Sequence, residues 1–121
     1  TDEIDRKLDA LAGHCDALGR NRSEITVSWQ RTACVAPTRE EAEADLDAYF
    51  ARRGLDMSRM ADDDKAALRA NFVWGDPDTV AEQFADFLRP GIDGFTVNMP
   101  ANGHVPGRVA LLGAALAPLV A

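Results

Sequence analysis

The sequence has no apolar run approaching the roughly 18 residues that a bilayer-spanning helix requires, so none of these residues forms a transmembrane helix. Basic residues are also scarce. Thirteen Lys and Arg stand against 20 Asp and Glu, a net charge of -7, which leaves no cationic face for nucleic-acid phosphates. There are two cysteines, Cys15 and Cys34, and neither has metal or redox spacing, so a reducing cytoplasm is the expected setting. A Gly-rich phosphate loop, a nucleophile elbow and a pair of catalytic acids are all missing. Asp62, Asp63 and Asp64 lack calcium-loop spacing and read as a solvated helix start. His14 and Cys15 are helical neighbours, about 100° apart, and cannot readily share a ligand.

What remains is regular punctuation. Ile4, Leu8, Leu11, Cys15 and Leu18 recur at helical steps over residues 3–18, and Gly19 supplies a left-handed stop. "ITVSWQ" alternates Ile25, Val27 and Trp29 with Thr26, Ser28 and Gln30, the period of a strand. The apolar phase shifts by Cys34 and Val35, which predicts a long strand with a bulge near Arg31. Thr38 and Glu41 form a capping box for a second helix with Ala42, Leu46, Tyr49 and Phe50 on one face, closed by Gly54. A short helix is expected at about 63–70. Phe72 to Trp74 fits either a short strand or an extended lead-in.

Asp76 then caps a helix with Pro77 at its first position and Val80, Phe84, Phe87 and Leu88 as its buried stripe. Two aspartates, Asp76 and Asp78, occupy that N-terminus and make it a cap rather than a phosphate site. Residues 94–99 give a second firm strand. Pro106 opens a last helix with Val109, Leu112, Leu116 and Leu119 inward. Strands separated by helices mean an α/β fold with a parallel sheet, here helix-rich with two or three parallel strands. So few strands cannot close a barrel, and their edges need covering. The chain also opens on helical periodicity at Thr1 without Met, which is expected of a piece of a larger domain.

In parallel α/β architectures the site gathers at the C-terminal ends of the strands. That places Trp29 to Thr32, Gly75-Asp76 and Asn98 to His104 on one side of the sheet. Asn98, Asn102 and His104 offer amides and an imidazole that suit ligand recognition, although the same residue types also build ordinary turns. Arg31 beside Trp29 suits an anion held against an aromatic wall, and equally a strand-end cation beside a packed ring. Asn98, Asn102, His104, Trp29 and Arg31 are the substrate-binding candidates, with no catalytic residue and no metal ligand among them.

The stretch "VWGDPDTVAEQFADFLRPGIDGFTVNMPANGH", with "RVALLGAALAPLV" after it and "KLDALAGHCDALGRNRSEI" and "APTREEAEADL" before it, resembles the C-terminal part of luciferase-like oxidoreductases. The group that uses coenzyme F420 is the nearest in character. The resemblance implies a (β/α)8 TIM barrel of which residues 1–121 are the C-terminal segment, a single piece lacking the N-terminal part. It also implies a flavin (FMN) or coenzyme F420 in the complete protein, acting on a small organic substrate, with none held by the segment alone. The principal catalytic positions of such enzymes lie in earlier strands, so the segment is expected to be inactive by itself and to supply the substrate-side wall through Asn98 to His104. Its expected partners are the missing barrel portion and, to cover the edges, further copies in a homo-oligomer; nucleic acid and membrane are not expected. The competing reading is a non-catalytic α/β interaction module that self-associates.

Overall fold

The computed structural model describes residues 2–120. Local signals set most helix boundaries. Helix α1 (Asp2–Leu18) ends at Gly19, whose φ of 67° lets the Gly19 N–H reach the Asp16 carbonyl at 3.2 Å and the Arg20 N–H reach the Cys15 carbonyl at 2.8 Å. Helix α2 (Arg39–Arg52) starts where the Thr38 hydroxyl accepts the Glu41 N–H at 3.2 Å. Helix α3 (Asp62–Arg69) follows, and α4 (Pro77–Ala85) begins at Asp76, which accepts the Thr79 N–H at 2.8 Å. That backbone hydrogen bond holds the Asp76 carboxyl below its usual range. Helix α5 is Arg108–Val120; it starts two residues later than Pro106 because Gly107, at φ 86°, turns the chain first.

Three parallel strands lie in the order β2-β1-β3: β1 (Ser28–Val35), β2 (Val73–Gly75) and β3 (Gly94–Asn98). The segment around Phe72 therefore resolves as a short strand. The expected bulge near Arg31 is absent. Ser28 to Thr32 pair with Gly94 to Asn98 residue by residue, and Ala33 to Val35 then pair with Val73 to Gly75. The hydrophobic phase shifts because the environment does: Ser28 to Thr32 are partly or fully exposed, whereas Ala33, Cys34 and Val35 are buried on both faces. Ile25 to Val27 precede the strand.

The two faces carry different cores. Ala33, Val35 and Val73 pack with Val80 and Phe84 of α4 and Leu112 of α5, flanked by Phe95, Val97 and Met99. On the opposite face Cys34 packs with Leu46 and Phe50 of α2 and with Ala101. Two expected stripe residues lie outside: Leu18, the last residue of α1, is 81% exposed, and Val109 is 59% exposed while Leu111 packs inward. Arg69 grips Asp47 with both arms of its guanidinium (2.9–3.1 Å) and also meets Glu43 at 3.2 Å, fastening α3 to α2. No helix among the described residues is long and apolar enough to cross a membrane.

Both cysteines are free and buried. Burial, reinforced by the nearby Asp45 charge, pushes the Cys34 thiol up to about 12. Cys34 should therefore resist a disulfide thiol reagent at pH 8 in the native protein and react fully in denaturant. Rapid labelling of Cys34 without denaturant would show that α2 does not stay seated on the sheet.

Candidate functional site

Because side chains alternate across a strand, β1 presents two sets. Trp29, Arg31, Ala33 and Val35 face α4 and α5, while Ser28, Gln30, Thr32 and Cys34 face the other way. Several contacts fix this assignment. The Trp29 ring lies 4.9 Å from the Phe87 ring, and the Arg31 guanidinium sits 4.4 Å above that ring. On the other side the Ser28 and Thr96 hydroxyls meet at 2.9 Å. In β3, Phe95 and Val97 therefore join the helix-covered core, and Thr96 and Asn98 share a face with Gln30 and Thr32.

Beyond the end of the sheet that α2 covers at Cys34, this second face is a row of uncharged hydrogen-bonding groups: Ser28, Gln30 and Thr32 on β1, Thr96 and Asn98 on β3. Gln30 pairs in register with Thr96, and Thr32 with Asn98. Gln30, Thr96 and Asn98 are exposed and Thr32 is half-buried. Amides and hydroxyls arranged this way orient a neutral polar group by donating and accepting hydrogen bonds, and they place no charge against it.

The loop after β3 is held by a polar lock. Asn102 is fully buried, and its amide nitrogen donates to the Val35 carbonyl at 2.8 Å and to Asp45 at 2.9 Å. Arg108, at the start of α5, donates to the same Asp45 oxygen at 3.2 Å and meets Glu41 at 3.5 Å. Arg52 of α2 donates to the Ala101 carbonyl at 3.1 Å. Gly103 closes the turn, since a Cβ there would stand 2.7 Å from the Met99 carbonyl oxygen. The site wall is thereby fixed by α2 and α5 rather than by the loop itself.

The structure thus separates the five sequence candidates. Asn98 stands on the uncovered polar face. Asn102 is one turn further on and spends its amide N–H groups inside the protein. His104 is exposed in the turn before α5. Trp29 and Arg31 point to the opposite, helix-covered face and do not join Asn98. The residues that do join it, Gln30, Thr32 and Thr96, were legible as the polar phase of each strand. Position at the strand end, without the phase, is what led to Trp29 and Arg31. Among the described residues no cluster of His, Cys, Asp and Glu is arranged to hold a metal ion.

A cleft of about 280 Å³ lies at the other ends of the strands, between the apolar stripe of α1 and Val27, Trp29 and Ile92. It is nearly all apolar and remote from Asn98 along β1 and β3. It has no group suited to catalysis.

A family model described as luciferase-like monooxygenase matches residues 1–94. The match ends at the first residue of β3, so the loop from Met99 to His104 lies beyond it. No curated protein and no solved structure matches the chain.

Proposed function

The chain belongs to the luciferase-like monooxygenase family, and we propose that it is the C-terminal portion of that family's (β/α)8 barrel, where it forms one wall of a flavin- or F420-dependent oxidoreductase pocket. The observation that carries this reading is the uncovered row of Gln30, Thr32, Thr96 and Asn98 between two adjacent parallel strands whose other face is fully packed. An interaction module that buried this face would need apolar residues there; a pocket needs hydrogen-bonding ones.

The row fits the polar edge of a flavin or deazaflavin ring, or the polar group of a small organic substrate. It has no cation for a phosphate tail, which belongs against other strands. When bound, such a cofactor supplies hydride transfer or oxygen activation. The residues of this chain position: the Asn98 amide and the Thr32 hydroxyl donate and accept hydrogen bonds, and Asn102 and Arg108 hold the strand end in place. The segment alone lacks the remaining walls and is inactive in this reading, and its edges are covered by the rest of the barrel.

Fluorescence titration with FMN and with F420, on this chain and on the chain joined to the remaining barrel strands, tests the proposal. Binding by the joined protein alone supports a shared pocket, and the preferred cofactor names the subclass. Asn98→Ala in the joined protein should raise KM about tenfold, the loss of roughly one hydrogen bond to a bound polar group. Unchanged KM and kcat would remove Asn98 from the wall.

A further inference from the structure

The backbone of β1 has a direction that the register fixes. The Val27 N–H donates to the Asp93 carboxylate at 2.7 Å and the Val27 carbonyl accepts the Asp93 N–H at 2.8 Å, both on the β3 side. The Ala36 N–H donates to the Gly75 carbonyl at 3.2 Å on the β2 side. With a period of two, the odd-numbered residues of β1 turn their backbone groups to β3 and the even-numbered ones turn away. Strand β2 reaches only Ala33 to Val35. Ser28, Gln30 and Thr32 therefore direct their N–H and C=O groups to an edge with no strand on it among the described residues.

Two further features lie along the same edge. One is the apolar cleft beside α1, lined by Ile4, Leu8 and Leu11 together with Ser28, Trp29 and Gln30. The other is Arg31. Its guanidinium meets no carboxylate among the described residues, and its Nε is buried without an acceptor. By contrast Arg69, Arg89 and Arg108, each about as covered, pair with Asp47, Asp5 and Asp45. An exposed row of backbone groups next to an apolar slot and an uncompensated cation describes the outline of one kind of occupant.

We propose that the Ser28–Thr32 edge binds an extended polypeptide strand that is apolar on the side facing α1 and carries an aspartate or glutamate level with Arg31. The strand hydrogen bonds supply attachment, the slot selects apolar side chains, and the carboxylate fixes register. The inference rests on the reading of β1 and β3 as part of a larger sheet, but it fails separately from it, because its readout involves no cofactor.

The test is residue-resolved amide exchange on the intact chain. The probes are two seven-residue peptides of alternating valine and threonine, one with a central aspartate and one with asparagine there. In the free chain Ser28, Gln30 and Thr32 should exchange fast while Trp29 and Arg31 are slow. The aspartate peptide should slow the three fast amides and bind about fivefold more tightly than the asparagine peptide. Arg31→Gln should abolish that difference while leaving the asparagine peptide's affinity unchanged. Slow exchange at all five positions in the free chain would mean that the edge is already covered and would overturn the proposal. Slowing that depends on protein concentration alone would assign the edge to a second copy and overturn it equally. So would a preference for aspartate that survives Arg31→Gln, or peptides that leave the three amides fast.

Discussion

Phe84→Ala is expected to lower the unfolding free energy by about 3–5 kcal/mol, the usual cost of removing a buried ring. Phe84 is fully buried, and its ring meets Phe95 edge-on at 4.9 Å and Phe87 at 6.1 Å. It joins α4 to β3 and, through Phe87, to Trp29 of β1. No neighbouring side chain is placed to fill the vacancy without breaking one of these ring pairs. Since domains of this size are stable by about 5–15 kcal/mol in total, the variant should unfold at a much lower urea concentration. A loss below about 1 kcal/mol in equilibrium unfolding would mean that the packing around α4 is looser than described.

The second large effect comes from a polar residue. Asn102→Leu keeps the side-chain volume but removes both donors, leaving the Val35 carbonyl unpaired and Asp45 with only Arg108 and solvent. Stranding a buried carbonyl and weakening a half-buried carboxylate should together cost about 2–4 kcal/mol. Asn98→Ala, only four residues away but exposed, should change stability by less than about 0.5 kcal/mol. The same unfolding experiment on both variants separates the roles: equal small losses would show that the lock does not hold the loop.

That contrast marks where the sequence was informative. Helix boundaries were readable because capping is local chemistry: Thr38 with Glu41, Asp76 with Thr79 and Gly19 each announce an end within a few residues. The parallel α/β class followed from strands separated by helices. Two things were not local. The shift in phase along β1 looked like a bulge because a sequence does not show that a strand changes neighbours, from β3 to β2, halfway along. Likewise, Asn98 and Asn102 look alike as residues of a polar loop. Only the approach of Val35, 67 positions before Asn102, and of Asp45 on α2 makes one a fastener and leaves the other facing outward. Trp29 and Arg31 stood at the expected strand end but on the wrong face, an error that the two-residue period alone would have caught.

The exchange of partners between Thr32 and Ala33 has a consequence for cooperativity. Residues 39–70, α2 and α3, cover only the Cys34 face, while the Phe84 cluster and all five β1–β3 pairs lie outside that excursion. Lifting it away exposes Leu46, Phe50 and the Asn102 lock but leaves the β1–β3 ladder intact. The chain is therefore two opening units that share β1, each with its own free energy of exposure. Length changes in the excursion fall on one unit alone, so an insertion between α2 and α3 reshapes the rim of the strand ends without disturbing the register that aligns Thr32 with Asn98.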